Sequence, residues 1–510
     1  NSMMSSARSC VLSAVLVVST GAGFGVATGA FALASAGAGF DTAEVLAAAR
    51  ALPVGGTLRV GTVPLDVDGK SRRETFRLER FEVFARDARI VLHTAAGESL
   101  LPVPANIYLR GGIEGDPHSR VMLSVLASGE VRGLATSTGR TWLLGSTTPG
   151  GLLQAREVEA ALELEEPGGG FRCELDELGP AAFRAGEETD LPDLASILDS
   201  PPPVASATAG AFDHTAVIAI ETDNEFLALA PFAGNPALAV DYIADLIAYS
   251  STIYVAEVQT AWSLGYISLW GPLVADPWLQ TSPSCGLIDF GRYWNNNHAG
   301  VPRTVTHFLS GKSTNSGIAW IGVLCSGGFS INAASVATGC SPALTGTSNW
   351  GGGYGYTSGI DGTFDIGSPS VVWDIQAFTH EIGHNFNSGH THCYQNIGGN
   401  AAAVDNCYAG QCGTTGCYCG ATSLPGAAGT GSGTIMSYCH LLGGGNVTLT
   451  LGLGHPFGVM PERVPNRMRA HVVSVAGGNP ACLAPDDPLN VLFANGFFSG
   501  NTSAWSATAP

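Results

Sequence analysis

The sequence predicts a mixed α and β protein in two parts: a β-rich unit over residues 39–205, and a second unit over 212–482 that combines strands with helices. Three observations predict it. In the first part apolar and polar residues alternate, as in "ETFRLERFEVF" and "SRVMLSVLASGEVRGLATSTG", which is the pattern of half-buried strands. The second part holds "NPALAVDYIADLIAYSSTIYV", a long helix, and "FTHEIGHNFNSGHTH", whose upstream apolar residues recur at helical spacing. Between the two parts, "SPPPVASATAGAF", from Ser200, is a linker by composition.

At its N-terminus the chain carries Arg8, the apolar run "CVLSAVLVV" and a small-residue region ending "ALASAGA". Residues 1–38 are therefore expected to be a secretory signal peptide, cut near Ala36 or Ala38. Gly and Thr interrupt the run well before the ~18 apolar residues a membrane anchor needs, and no later span is expected. Only 2 of the 23 basic residues are lysines and the formal charge is −19, a poor basis for binding nucleic acid or an anionic membrane.

In "FTHEIGHNFNSGHTH", His380 and His384 stand four residues apart, which on a helix places them on one face about 6 Å apart along the axis. Ser368 or Ser370 can cap this helix and Pro369 suits its first turn. Val371, Ile375, Phe378, Ile382 and Phe386 form a core-facing stripe, leaving the histidines toward a cleft. His390 is six residues from His384 and so cannot share that face unless the helix ends first. Asn387, in a run of poor helix formers, can take the left-handed conformation that ends a helix and turn His390 back under the same ion. Three neutral imidazoles leave a fourth position open on Zn²⁺, as in catalytic sites, for a water whose pKa falls toward about 7. Glu381, beside a ligand, is placed to take that water's proton as it attacks an amide carbonyl.

The pattern HExxHxxxxxH resembles the zinc site of the metzincin endopeptidases. "GTIMSYC", residues 433–439, resembles their methionine turn, with Met436 in the methionine position. Tyr438 matches a tyrosine that some metzincins use as an extra ligand or to stabilise the tetrahedral intermediate; a packed aromatic is the alternative. Within that clan the chain is similar to the adamalysin, or reprolysin, branch in its bacterial secreted form. "HTAVIAIETDNEFL", "AEVQTAWSLGYISLW", "SGIAWIGVLC" and "GYGYTSGI" resemble its strands, and "YLRGGIEGDPHSRVMLSVLASGEVRGL" its prodomain. Two positions depart from the branch, Asn387 where Gly is usual and Thr391 where Asp is usual. The resemblance implies an α+β, two-lobed catalytic domain with a mixed twisted sheet over 212–482, a β-rich prodomain over 39–205, and maturation cleavage within 206–211. It further implies one catalytic Zn²⁺, protein or peptide substrates bound extended along an edge strand, and a monomer secreted to the extracellular space.

Export makes disulfides plausible. With Cys10 in the signal, eleven cysteines remain, and ten of them, at 285, 325, 340, 393, 407, 412, 417, 419, 439 and 482, can form five bridges. The odd one, Cys173, can coordinate the metal as thiolate and silence a zymogen; a thiol outside the site or otherwise paired is the alternative. The cluster Cys393–Cys419 is expected to be a disulfide-stapled insertion rather than a second zinc site. Glu221, Asp223 and Glu225 are candidates for a Ca²⁺ site, against a solvated strand end. His392, His440 and His455 are accessory candidates expected at the surface, and Glu462 belongs to a closing helix. The tail 483–510 suggests sorting or processing, or a disordered end. These readings lead to a secreted zinc endopeptidase made as a zymogen. A non-catalytic surface adhesin on a metzincin scaffold and a deacylase are the rivals.

Overall fold

The computed structural model describes residues 30–32, 40–67, 70–137, 139–146, 151–158, 171–174, 212–443 and 445–485. The expected signal peptide apart from Ala30–Ala32, the linker and the tail beyond Pro485 lie outside the described residues.

The alternating N-terminal sequence forms β1 (Ala30–Ala32), β2 (Phe40–Asp41), α1 (Thr42–Ala51), β3 (Thr57–Val67), β4 (Lys70–Phe81), β5 (Phe84–Thr94), β6 (Gly97–Leu101), β7 (Ile107–Ile113), β8 (Arg120–Val125), β9 (Val131–Ser137), β10 (Arg140–Gly145) and β11 (Leu152–Glu157). Nine of these strands make one sheet in the order β1-β3-β4-β7-β8-β9-β10-β11-β2, and β11 returns beside β3, so the sheet curls toward closure. Period-two alternation sends Phe76 and Leu78 of β4 inward with Val60, Leu109, Val121, Leu123 and Leu144. Val45 and Ala49, four residues apart on α1, are buried in the same core.

β5 and β6 leave that sheet. The sequence assigns them to a separate first unit, but their partners are in the second, because alternation marks a half-buried strand without naming its neighbour. The second unit comprises β12 (Arg172–Cys173), β13 (His214–Thr222), α2 (Asn224–Ala228), α3 (Pro236–Val258), β14 (Thr260–Trp270), α4 (Pro283–Asn297), β15 (Val305–Ser310), β16 (Ser316–Ala319), β17 (Phe329–Asn332), α5 (Ala333–Val336), β18 (Thr347–Gly351), β19 (Tyr354–Ser358), α6 (Val371–Asn385), α7 (Arg463–Gly478) and β20 (Leu483–Pro485). Its main sheet runs β12-β16-β19-β15-β13-β14-β5-β6 and is mixed: β19, β15, β13, β14 and β5 are mutually parallel, while β16 is antiparallel to β19 and β6 to β5. β20 pairs antiparallel with β13, so this unit extends three residues beyond the expected boundary at 482. The fold is α+β with a β-rich N-terminal region.

α3 starts where Asn235 accepts a hydrogen bond from the Ala237 amide at 3.0 Å and Pro236 opens the first turn. It ends at Gln259, which is left-handed at φ 55°. Apolar on nearly every side, it is buried between β14, α6 and strands β7 to β9 of the N-terminal unit. By length and composition it could cross a membrane, but here it is a core helix, with 89% of its 18-residue apolar window buried. Across its outer face Arg132 Nε of β9 pairs with the fully buried Asp245 at 2.6 Å, and Asn106 donates to Asp241 at 2.7 Å.

The ten cysteines between 285 and 482 all pair, as Cys285–Cys340, Cys325–Cys482, Cys393–Cys417, Cys407–Cys439 and Cys412–Cys419. Cys325–Cys482 closes 157 residues, a loop whose constraint on the unfolded chain is worth on the order of 5 kcal/mol in the chain-entropy model.

Candidate metal centre

α6 carries the histidine motif, and its expected stripe is inside: Val371, Ile375, Phe378, Ile382 and Phe386 are all fully buried. The start differs from expectation. Ser370 occupies the cap position but makes no capping bond, since its hydroxyl donates to Asp361 at 2.8 Å, and Pro369 stands outside the helix. Asp374 instead ties this end down, accepting from the Asp361 and Gly362 amides at 2.7 and 3.0 Å and from Tyr242 at 2.7 Å. Burial pushes its carboxyl up to about 7.

The helix ends as its sequence requires. Asn387 is left-handed at φ 71°; its amide donates to His384 O at 2.8 Å and the Ser388 amide to Gly383 O at 3.1 Å, the paired bonds of a Schellman motif. Arg467 of α7 holds the turn by donating to Asn387 O at 2.6 Å. The chain then doubles back, and the Thr391 amide bonds to Met436 O at 3.0 Å. Met436 lies beneath α6 at Gly383, where a Cβ would come within 2.5 Å of its sulfur.

This brings together the three predicted ligands. His380 and His384 Nε2 are 3.1 Å apart, and one nitrogen from each of His380, His384 and His390 lies with Cys173 Sγ in a group spanning no more than 4.8 Å. The three rings are fully buried, and burial with mutual repulsion holds them well below the usual imidazole range, in the neutral form that binds metal. They are not open to a cleft, as the sequence suggests, because β12 lies over them. The donor set fits zinc, and His390 Nε2 is buried without a protein partner, as a ligand atom awaiting an ion would be.

Cys173 lies outside the five disulfides. Its Sγ is 3.4 Å from His384 Nε2 and 3.7 Å from Glu381 Oε2. Glu381 is fully buried, and burial raises its carboxyl well above the ordinary range. Its space is kept by Gly317 of β16, where a Cβ would sit 2.5 Å from Oε1. β12 runs parallel to β16: the Arg172 amide donates to Asn315 O at 3.1 Å and the Glu174 amide to Gly317 O at 2.8 Å. Period two turns Phe171 and Cys173 inward and Arg172 outward. The Tyr438 hydroxyl donates to Cys173 O at 2.7 Å, and His440 Nε2 to Phe171 O at 2.7 Å. The Phe171 ring meets His380 and His440 at centroid distances of 5.9 and 6.4 Å, and His440 packs edge-on to Trp373.

Several expectations change here. His392, His440 and His455 are buried rather than at the surface, and burial pushes His392 and His440 down to about 4. The calcium candidates do not converge. Glu221 accepts from the indoles of Trp270 and Trp294, both at 2.9 Å, and Lys312 stands between Asp223 and Glu225 at 3.1 and 3.3 Å. Burial raises the Glu221 carboxyl to about 8. Glu462 sits at the cap position of α7. The sequence reading missed Phe171, Gly317, Arg467 and Gln411; only Phe171, at period two from Cys173, carried a signal.

An α+β fold holding HExxHxxxxxH histidines over a methionine turn defines the class of metzincin-like zinc metallopeptidases. Residues 214–448 match the Reprolysin_5 family, metallo-peptidase family M12, and with this domain the protein is a zinc-dependent peptide hydrolase. Among solved structures, the crystal structure of metalloproteinase-II from Bacteroides fragilis is similar at 10% identity, covering 71% of this chain and 88% of that one. The TM-score of that match is 0.29. No curated protein matches the chain.

Proposed function

We propose that the protein is an exported zinc endopeptidase made as a zymogen, with residues 39–205 as an inhibitory prodomain, 206–211 as the maturation region and 212–485 as the catalytic part. One observation carries this reading: the only cysteine of the second sheet outside a disulfide, among the described residues, is delivered by a strand preceding the linker to the centre of the histidine cluster. In the pro-form the Cys173 thiolate would be the fourth metal ligand beside His380, His384 and His390, in the position a reacting water needs. When bound, the zinc ion supplies Lewis acidity and makes a water acidic near neutral pH.

The rest is the work of the chain. Once β12 leaves, Glu381 accepts the proton of the attacking water, a step its raised carboxyl pKa favours, and then hands that proton to the leaving amine. Tyr438, whose hydroxyl already donates to a main-chain carbonyl in the cleft, would donate to the oxyanion that develops on the substrate. The substrate takes the place of β12 along β16, its backbone paired and its side chains alternating between cleft and solvent. The space of Phe171, beside His380 and His440, would take a large apolar or aromatic substrate residue.

The test is casein hydrolysis by the full chain cut within the linker, comparing wild type with Glu381→Ala at equal zinc content. The variant should bind zinc and lose about 10²–10⁴-fold in rate, the usual worth of a general base. A fully zinc-loaded, cut wild type that cleaves no member of a diverse peptide library would sink the protease mechanism and favour an adhesin.

A further inference from the structure

A histidine that offers Nε2 to a metal must keep its remaining proton on Nδ1, and that N–H needs an acceptor to fix the ring's tautomer and angle. Two of the three ligands find theirs in the backbone. His380 Nδ1 donates to Ile435 O and His384 Nδ1 to Ser388 O, both at 2.7 Å. His390 is different: its Nδ1 donates at 2.9 Å to a side-chain oxygen, Oε1 of Gln411.

We propose that Gln411 is the positioning residue of the third metal ligand, and that the cysteine-rich excursion 393–419 exists at this site to hold it there. The proposal rests on the zinc reading above. Three observations argue it. Gln411 Oε1 also accepts from His392 Nε2 at 2.6 Å, so two ring N–H groups converge on one oxygen and the reversed amide would set its NH₂ against both. The next residue, Cys412, is bonded to Cys419, and Cys393, which follows His392, is bonded to Cys417. Both ends of the contact are thus stapled. His390 belongs to the metal group, and its Nε2, at the other side of the ring, is buried without a protein partner. His392, an accessory candidate in the sequence, lies outside the metal group and gives its Nε2 proton to Gln411.

Zinc affinity tests this directly. The background is the full-length chain with Cys173→Ala and Glu381→Ala, so that only the histidines bind and the protein cannot digest itself. Zinc dissociation constants are read by competition with a chromophoric chelator, and the cobalt(II) form is read by its visible spectrum. Gln411→Leu, which removes the acceptor at similar size, should weaken zinc binding about 10–100-fold. Gln411→Glu, which keeps an acceptor, should bind within a few-fold of the parent and retain the parent's cobalt spectrum. Equal affinity in Gln411→Leu and the parent overturns the proposal. So does an equal loss in Leu and Glu, which would assign the effect to packing. A parent that binds no zinc at one equivalent would instead overturn the metal-site reading beneath it. Gln411→Asn, one methylene shorter, should fall between Leu and Glu and guards against a variant that misfolds.

Discussion

The second sheet takes in chain from before the linker at each of its two edges, and the edges are built differently. At the β16 edge the contribution is the two residues of β12 and Phe171 before them, with one buried thiol and one buried ring. At the β14 edge it is the eleven-residue β5, paired from Phe84 against Leu264 to His93 against Trp270, with β6 behind it. Ile90 and Val91 there are 1% and 3% exposed and join one core with Ile218, Ile267 and Leu269 of the second unit. The small edge touches the chemistry and the large edge touches only structure. On the proposed reading, inhibition and attachment are separable: silence depends on one side chain, while the unit stays bound through a hairpin and the Arg132–Asp245 pair.

The largest effect should come from the structural edge. Val91→Asp places an unpaired carboxylate in the shared core, a change that costs on the order of 4 kcal/mol or more. Full-length protein carrying it should show a markedly lowered melting temperature in a thermal scan. A melting temperature within 2 °C of wild type, at roughly 2–4 °C per kcal/mol, would mean that β5 adds little and that the asymmetry is only apparent.

Cys173→Ala should do the reverse. It removes one small side chain and should lower the melting temperature by no more than a few degrees. The uncut chain should nonetheless hydrolyse peptide at least about tenfold faster than uncut wild type, the factor that corresponds to 1.4 kcal/mol of lost ligation. If the uncut variant stays silent, the backbone of β12 on β16 does the blocking and the thiol is incidental.

The same asymmetry separates what the sequence discloses from what it conceals. His380, Glu381 and His384 were legible because helix geometry alone puts them on one face, and the turn at Asn387 followed from the need to bring back His390. The odd count of cysteines was enough to single out Cys173. These inferences depend on local spacing or arithmetic. What stayed hidden is pairing between distant segments. Nothing in "FARDARIVLHT" names β14 as its neighbour, and nothing around Gln411 points to a histidine 21 residues earlier. Ser370 shows the same limit at short range: it has the right type and place for a cap, but Asp361 takes its hydroxyl.

The smallest expected effect sharpens the comparison at the large edge. His93, on β5, is buried, with its ring stacked on Trp270 at 4.0 Å, Nε2 3.1 Å from the Ser268 hydroxyl and Nδ1 3.7 Å from Glu98. Burial lowers its pKa, and Glu98 offsets this only in part. Its docked value therefore lies below the ordinary ~6.5 of a free imidazole. The attachment it supports is complete above that pH and is lost as pH falls through the lowered value, because the released state binds the proton more tightly. His298, at the end of α4, has its own pKa lowered by burial and then by His93, so protonation of either ring opposes docking. After linker cleavage, size-exclusion from pH 8 to 5 should show the N-terminal unit beginning to separate below about 6.5. His93→Phe, which keeps the stack on Trp270 but cannot titrate, should flatten most of that slope and leave the part due to His298. A slope that His93→Phe leaves whole would place the pH response away from this hairpin, and the β14 edge would then be an anchor without a release.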